Sequence, residues 1–364
     1  MPLTGAGIEN MVPDNHTVPR GLALLLVLYI GCNLFRAEPG PRAEWVREYA
    51  ADAAKCVRQT SDGGFILAGK DIVRLDGSGN VLWMRKGVMP REAAWVEPTS
   101  DGGFVVIDES LLVKTDGSGN EEWSTSCGGV SVQQVSDGGF ITCGAHAVRL
   151  DSQGDSVWEY YCELGRSAEE TTDGGFILAG YLYGYRGSRH DVAKLSAAGE
   201  LEWWREYNTP SGLHALVVRT DANGHVALVT EDEAGSVSLL RITPQGDVVW
   251  RKPVRANSRA GWRIRADLGQ GYVLAGGYGD SIYLARTDSF GGILWELTPG
   301  DGVSRWQPRQ FPESLGSEPG TRPQPDSGGW SRCFNWAEQT MDGGYIAVEY
   351  SKSGTALTKY APDQ

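Results

Sequence analysis

The sequence lacks an excess of basic residues. Its 33 lysine and arginine residues are outnumbered by 46 aspartate and glutamate residues, which gives a formal net charge of −13 at pH 7. A chain with this balance repels phosphate backbones and has no basic footprint of the kind that nucleic-acid binding uses. We therefore expect no nucleic-acid partner.

Motifs for catalysis and metal binding are also lacking. The chain has neither a Gly-x-Ser-x-Gly elbow nor a His-Glu-x-x-His motif, and its five histidines do not follow metal-ligand spacing. A Walker-like match at 64–70 is discarded, because Asp71 replaces the Ser or Thr and the match lies along a predicted strand. Turns at 76–80 and 116–120 resemble calcium loops but lack the distal bidentate Glu, which favours plain turns. No metal and no cofactor are predicted.

Long hydrophobic runs are absent apart from one near the start. Residues 21–35, which follow Arg20, carry no charge, and a stretch rich in Pro, Gly and charge comes next. Fifteen residues are few for a membrane span, but they suit the apolar region of a secretory signal. We therefore predict an exported protein with a leader at 1–36 and a linker at 37–42.

The apolar run ends in a segment, Leu28 to Cys32, that resembles a bacterial lipobox. In that motif the Cys is lipidated and becomes the new N-terminus, so the resemblance implies lipid attachment at Cys32. Tyr29 stands where the motif usually has Leu, and the n-region before Arg20 is long, so an uncleaved anchor or ordinary cleavage remains an alternative. The expected location is the extracytoplasmic face of the membrane or the exterior, with membrane contact only through the leader or its lipid.

Glycine and aromatic residues are abundant, and one repeat accounts for many of them. The chain has 49 Gly, 13 Trp and 14 Tyr, which is typical of many turns and aromatic-rich strands. Asp-Gly-Gly followed by an aromatic and an aliphatic residue occurs five times, and two degenerate copies lie between these. The last glycine of each copy falls at positions 64, 103, 139, 175, 224, 271 and 344. The chain therefore contains seven units.

Each unit predicts four short strands. Asp-Gly-Gly predicts a hairpin because its turn needs positive φ, which Gly adopts without strain. A third strand, a second tight turn and a fourth strand with a Trp follow, in a period of about 36 to 49 residues. This pattern predicts an all-β, seven-bladed β-propeller of four-stranded antiparallel blades over 43–364, with a Pro- and Gly-rich insertion at 299–333.

The two ends of the chain predict how the ring closes. The seventh unit stops before its Trp strand, while the segment 43–49 nearly repeats 201–207 of the fourth unit. We therefore predict that the N-terminal strand completes the last blade and removes an exposed edge. The recurring tryptophans are predicted to pack between neighbouring blades. They are Trp45, Trp83, Trp123, Trp158, Trp203, Trp250 and Trp295.

The inner strands are predicted to line a central channel. They align an apolar column, namely Val57, Val96, Val132, Ala168, Val217, Ile264 and Ala337. Beside it runs a mixed column, namely Arg58, Glu97, Gln133, Glu169, Val218, Arg265 and Glu338. The polar members are candidate binding residues at the channel mouth, and solvated residues around a water-filled channel are the alternative.

Two loops supply further candidate binding residues. Tyr183, Tyr185 and Arg186 lie in a long loop of the fourth unit, where aromatic and basic side chains suit stacking on sugars or peptides. Trp306 lies in the insertion at 299–333. Insertions on a rigid scaffold often carry function, although a plain surface loop is the alternative.

Five cysteines besides Cys32 leave an odd number for pairing. Cys127 and Cys162 follow outer strands of adjacent units, where blades splay apart, so we predict that they do not pair. Cys56 and Cys333, near the inner strands of the first and last units, are a weak candidate pair. Buried free thiols are the alternative.

The repeat resembles the Asp-Gly-Gly repeats of exported bacterial and archaeal β-propeller proteins. The turn Asp76 to Trp83 also resembles the blade motif of quinoprotein-like propellers and the Asp-box of sialidases, where this segment is mainly structural. No catalytic residue carries over, and a fold does not fix a reaction. We expect a monomeric, non-enzymatic binding or scaffold protein with a protein or glycan partner, and the alternative is a quinoprotein-like or glycan-cleaving enzyme.

Overall fold

A computed structural model of the chain describes its folded part. The described residues are 41–49, 54, 56–162, 164–183, 189–207, 214–221, 224–231, 237–254, 263–266, 271–278, 281–297, 336–351 and 354–362. They belong to one unit, Gly40–Gln364. They form seven four-stranded antiparallel sheets. No helix occurs among the described residues, and so none that is long and apolar enough to cross a membrane.

Six of the sheets each use four consecutive strands. Blade 1 is β2 (Cys56–Gln59), β3 (Phe65–Ala68), β4 (Ile72–Leu75) and β5 (Val81–Arg85). Blade 2 is β6 (Trp95–Pro98), β7 (Phe104–Ile107), β8 (Leu112–Thr115) and β9 (Glu121–Thr125). Blade 3 is β10 (Ser131–Gln134), β11 (Phe140–Cys143), β12 (His146–Leu150) and β13 (Ser156–Tyr161). Blade 4 is β14 (Leu164–Glu170), β15 (Phe176–Tyr183), β16 (Arg189–Leu195) and β17 (Leu201–Arg205).

The remaining sheets follow the same scheme until the ring closes. Blade 5 is β18 (His214–Thr220), β19 (Val226–Glu231), β20 (Val237–Ile242) and β21 (Val248–Pro253). Blade 6 is β22 (Arg263–Ala266), β23 (Tyr272–Tyr278), β24 (Ser281–Thr287) and β25 (Ile293–Leu297). Blade 7 is β26 (Trp336–Gln339), β27 (Tyr345–Ser351), β28 (Gly354–Tyr360) and β1 (Ala43–Tyr49). The inner strands of consecutive blades contact one another, and β2 contacts β26. The sheets therefore form a closed seven-bladed propeller.

The N-terminal strand closes the ring as predicted. β1 pairs antiparallel with β28, with Trp45 opposite Lys359. The Ala361 N–H extends the pairing by donating to Arg42 O at 2.8 Å. The closure therefore joins the two chain ends without a covalent bond and covers the edge of β28.

The Asp-Gly-Gly turn is held by its aspartate. In blade 1 the Thr60 N–H donates to Gly64 O at 2.9 Å, and Gly63 has φ of 84°, a conformation that a side chain would strain. Asp62 Oδ1 accepts hydrogen bonds from Thr60 Oγ1 at 2.6 Å and from the Gly64 N–H at 3.1 Å. The carboxylate therefore stabilises the turn from inside.

A cation on the third strand then ties that aspartate to its own blade. The contact, called the Asp latch below, recurs in six blades among the described residues, although in blade 5 its aspartate, Asp221, occupies the position of the turn threonine and not that of Asp62. It joins Arg74 to Asp62, Lys114 to Asp101, Arg149 to Asp137, Lys194 to Asp173, Arg241 to Asp221 and Lys359 to Asp342. Because the cations are nearly buried, the latch places each charge where it has a partner.

The tryptophan column packs between neighbouring blades, which confirms the prediction. Trp83 of blade 1 stacks edge-on against Phe104 of blade 2, with ring centroids 6.0 Å apart. Trp45 of β1 likewise packs edge-on against Phe65 of blade 1, with ring centroids 6.1 Å apart. A Cβ on Gly119 would lie 2.7 Å from the Trp83 ring, so the turn glycine leaves room for the indole. The closing interface is therefore built like the others.

A second contact links blades near the axis. The last residue of the inner strand reaches back to the turn of the previous blade, as where Gln134 Oε1 accepts from the Ser100 N–H at 2.7 Å. Gln59 of blade 1 makes the same bond to the Met341 N–H of blade 7, also at 2.7 Å. Repeated interblade bonds thus hold the inner strands at fixed positions around the channel.

Candidate functional site

The inner strands bring the predicted polar column to the channel at one level. Arg58 lies opposite Ile66, Glu97 opposite Val105 and Glu338 opposite Ile346, which is the same position in each hairpin. Together with the other members at this level these residues form what we call the channel ring. They are Arg58, Glu97, Gln133, Glu169, Arg219, Arg265 and Glu338.

Blade 5 corrects the sequence alignment by one residue. Gly224 has φ of 75° and occupies the place of the first glycine of the turn, not the second. The Asp221 N–H accordingly bonds to His225 O, as Thr60 does to Gly64 O. The polar column therefore contains Arg219 in place of Val218, and the buried Val218 replaces Val217 in the apolar column. The shift arises because this copy keeps only one glycine.

Arg58 joins the carboxylates of blades 2 and 7. Its Nη2 lies 2.5 Å from Glu97 Oε2 and its Nη1 lies 2.8 Å from Glu338 Oε2. Its Nε donates to Val96 O at 3.2 Å, and its side chain is only 2% exposed. All three guanidinium nitrogens thus have partners in neighbouring blades, so Arg58 holds the closing interface together at the axis.

Two tryptophans enclose this guanidinium. The Trp95 and Trp336 rings meet edge-to-face with centroids 4.5 Å apart. The Arg58 Cζ atom lies 5.0 Å from the first ring and 4.7 Å from the second, which is cation–π range. Blades 7, 1 and 2 therefore fill their side of the channel with bulky, paired side chains.

Arg265 lies farther from the same two carboxylates. Its Nη2 is 3.8 Å from Glu97 Oε2, and its Nε is 3.8 Å from Glu338 Oε2. Its side chain is 22% exposed. Arg265 is therefore a looser, more accessible counter-ion than Arg58.

Blades 3 to 5 pair their members differently. Glu169 Oε2 accepts from the Thr220 N–H at 3.0 Å and from the side chain of Gln133. Arg219 Nη1 lies 3.7 Å from the same oxygen and donates to Val218 O at 2.8 Å. Arg219 is thus less tightly paired than Arg58.

Burial shifts the pKa values of the charged residues in the channel ring. It raises the pKa of Glu97, of Glu169 and of Glu338 above the ordinary glutamate value, although the arginines act in the opposite direction. Burial lowers the pKa of Arg219. For Arg58 burial also acts to lower the pKa, but Glu97 and Glu338 outweigh it and raise the pKa. The best-paired cation is therefore Arg58.

Several polar atoms near the channel have no hydrogen-bond partner among the described residues. They are Ser131 Oγ, Gln133 Oε1, Ser167 Oγ and Arg219 Nε, and all four are shielded from solvent. We call these four residues the polar side of the channel. An unmatched buried polar atom costs free energy, so these atoms are suited to hydrogen bonds with a ligand group or with water.

The polar side follows the tryptophan pair around the ring. By strand register, Ser131 and Ser167 hold in blades 3 and 4 the position that Trp95 holds in blade 2 and Trp336 in blade 7. The Cζ atom of Arg219 in blade 5 lies 5.6 Å from the Trp95 ring centroid, which is cation–π range. The same position in the hairpins therefore holds bulky aromatic residues in two blades and small polar residues in two others.

The other candidate residues are only partly described. Tyr183 ends β15, whereas Tyr185, Arg186, Trp306 and the lipobox Cys32 lie outside the described residues. The same is true of the insertion at 299–333.

Metal chemistry has little support in the described part of the chain. No group of three or more His, Cys, Asp and Glu there could hold a metal ion. The turn at 76–80 uses its oxygens internally, since Asp76 Oδ1 accepts from the N–H groups of Ser78 and Asn80 at 2.8 and 2.9 Å. That turn is therefore a self-contained structural element.

Comparisons with known proteins assign the chain to no family. No family model and no curated protein matches the chain. Among solved structures, the chain is similar to a protein of unknown function from Bacteroides caccae, with 13% identity and a TM-score of 0.46. The match covers 64% of this chain and 92% of that one.

Proposed function

We propose that the protein is a non-enzymatic binding or scaffold protein that holds a protein or glycan partner through the channel mouth and the propeller loops. The observation that carries the proposal is the polar side of the channel, where Ser131, Gln133, Ser167 and Arg219 present unmatched hydrogen-bonding atoms. Polar groups converging on a concave site are typical of ligand recognition.

The contrast within the channel favours binding over a purely structural role. Arg58, Glu97 and Glu338 satisfy one another, as buried charges in a core must. On the polar side Gln133 and Arg219 contact Glu169, but Ser131 Oγ, Gln133 Oε1, Ser167 Oγ and Arg219 Nε have no hydrogen-bond partner among the described residues. These atoms are available to hold a polar group.

The location of this binding is proposed from the sequence. The apolar run at 21–35 and the lipobox-like Cys32 support export and attachment to the extracytoplasmic face, or secretion. The acidic charge favours a protein or glycan over a nucleic acid. The loop residues Tyr183, Tyr185, Arg186 and Trp306 are proposed to extend the contact, with the protein acting as a monomer.

Affinity capture with a matched pair of variants tests the proposal. The tagged full chain, solubilised in mild detergent, is incubated with an envelope extract of the source cells and with an array of glycans. We expect one specific protein or glycan, and we expect Ser131→Val with Ser167→Val to lower its recovery at least tenfold. The same partner recovered equally by this double variant would contradict a role for the channel.

Thr142→Val provides the control. Thr142 is fully buried in β11, but its Oγ1 contacts Cys127 Sγ at 3.3 Å, away from the channel. The substitution removes a buried hydroxyl of the same size in the same blade. Full capture by this variant would show that the loss in the double variant reflects the channel and not general destabilisation.

A quinoprotein-like or glycan-cleaving enzyme is the second candidate. Three glutamates with raised pKa values near the axis satisfy one condition for acid–base catalysis. Against it, both oxygens of Glu338 accept hydrogen bonds, from Arg58 Nη1 and from the Gln59 N–H. Hydrolysis of chromogenic glycosides, or quinone-dependent dye reduction, that is lost in Glu338→Gln with an unchanged thermal midpoint would establish the enzyme.

A further inference from the structure

Two cysteines of blade 3 lie side by side in its core. Cys143 ends β11, and Cys162 follows β13, with its N–H donating to Ala145 O at 2.9 Å. Both side chains are fully buried free thiols, and they share a hydrogen bond. Sequence spacing alone does not pair these two cysteines, because the chain turns back beside β11 only after β13 has ended.

Gly165 of blade 4 is packed against both cysteines. A Cβ added to Gly165 would lie 2.5 Å from Cys143 Sγ and 3.2 Å from Cys162 Cβ. The Gly165 N–H also donates to Gly144 O at 2.8 Å, which fixes the backbone beside the pair. Both cysteines therefore contact the same small space beside Gly165, and their side chains are within hydrogen-bonding distance of each other.

We propose that Cys143 and Cys162 form a disulfide cross-link when the protein folds under oxidising conditions. The bond would tie the end of the outer strand of blade 3 to its second strand, just before the chain crosses to blade 4. In the cell, its formation rests on the proposed export, because disulfides persist mainly in oxidising compartments. Its formation in a defined redox buffer does not depend on export or on the binding function.

The chemistry is thiol–disulfide exchange with a small-molecule disulfide such as oxidised glutathione. One cysteine thiolate attacks a glutathione sulfur, which forms a mixed disulfide and releases one glutathione thiol. The second cysteine attacks the mixed disulfide, forms the protein S–S bond and releases a second glutathione thiol. Two electrons pass to the oxidant, and the two thiol protons end on the released glutathione.

The folded environment affects when the reaction occurs. The hydrogen bond that the Cys143 thiol donates to Cys162, together with burial, raises the pKa of Cys143, so little thiolate forms once the blade is packed. We therefore expect the bond to close during folding and to form slowly in protein that is already folded and reduced.

Peptide mapping of the wild-type chain tests the proposal without any variant that must fold. The full chain is refolded in a glutathione redox buffer, denatured with an alkylating reagent present and digested. We expect one cross-linked peptide pair containing Cys143 and Cys162, two hydrogens lighter than the separate peptides. Reduction should release both peptides for alkylation.

Cys56 and Cys127 serve as internal controls. Both are buried, but Cys56 Sγ contacts the backbone of Val96 and Cys127 Sγ contacts Thr142 Oγ1. We expect both to be alkylated after oxidative refolding. Alkylation of Cys143 and Cys162 to the same extent as Cys127 would overturn the proposal. A disulfide that joins Cys143 or Cys162 to any other cysteine would also overturn it. A Cys56–Cys333 disulfide found together with the expected one would leave the proposal intact.

A stability measurement separates the cross-link from mere packing. A disulfide stabilises chiefly by restricting the unfolded chain, so reduction should lower the thermal midpoint of the oxidised wild type by several degrees. Cys162→Ser should abolish this dependence on reductant, whereas Cys127→Ser should keep it. A midpoint of the wild type that does not respond to reductant would contradict the proposal.

Discussion

The rim and the channel of this propeller are built from the same seven repeats but differ in how faithfully the blades repeat. At the rim, six blades carry the Asp latch, and successive blades stack a Trp on the next blade's aromatic residue and turn glycine. In the channel, equivalent positions hold Trp95, Ser131, Ser167 and Trp336. Repetition therefore builds the ring, and departures from it lie in the channel, where we propose binding.

The same comparison separates two uses of charge. The cation of each Asp latch bonds an aspartate in its own blade, so it stabilises a blade. Arg58 bonds Glu97 and Glu338 in two neighbouring blades, so it stabilises the junction between the chain ends. Arg219 is less tightly paired than Arg58 and lies on the polar side, where we propose binding.

Removing Arg58 should have the largest effect and would test whether the tryptophan side of the channel is structural. Arg58→Met leaves Glu97 and Glu338 partly buried without their closest counter-ion, which should lower the free energy of unfolding by about 3–5 kcal/mol. Chemical denaturation measures this loss. Arg265→Met is the matched control, since its contacts of 3.8 Å should make its loss much smaller. Equal losses in the two variants would contradict the assigned roles.

The closing interface should respond to mutation like any other interface. Trp45→Ala and Trp83→Ala remove half-buried indoles with matching contacts, so each should cost about 2–3 kcal/mol, below the loss for a fully buried aromatic side chain. Parallel denaturation curves measure both. A much smaller loss for Trp45→Ala would show that β1 contributes little to closure.

The Asp latch should give the smallest effect and a defined pH dependence. The hydrogen bond from Thr60, the backbone N–H of Gly64 and Arg74 lower the pKa of Asp62 from 3.8 to about 2, against the effect of burial. The folded state thus binds fewer protons than the unfolded chain between these values. The contribution of ionised Asp62 to the stability of the folded state is complete above pH 3.8 and is lost as the pH falls towards 2.

Asp62→Asn tests this window. Thermal midpoints of the variant should fall less steeply than those of the wild type between pH 4 and pH 2. At pH 7 the loss should stay below about 1 kcal/mol, because Asp62 is mostly exposed. Asp155→Asn, at an exposed carboxylate outside the latch, should follow the wild-type curve. If the thermal midpoints of the wild type and both variants fell equally with pH, the Asp latch would not be the cause of the decline.

The fold was predictable because each local signal recurs seven times and the signals agree. The closure was predictable because a missing Trp strand at one end matches a surplus one at the other. The pairing of Arg58 with Glu338 was not predictable, since 280 positions separate them and only the ring brings them together. Arg219 was not predicted as a channel residue, because blade 5 has a single glycine in its turn and the alignment was based on the second one. Aligning the strand residue Val226 with Phe65 would have placed Arg219 at the position of Arg58.

The most direct test of the channel as a binding site is a high-resolution crystal structure of the protein purified from its native source. Density for a non-water ligand, within hydrogen-bond distance of Arg219 Nε and at least one of Ser131 Oγ and Ser167 Oγ, is the expected result. A channel in which these atoms contact only ordered water or one another would contradict the proposal.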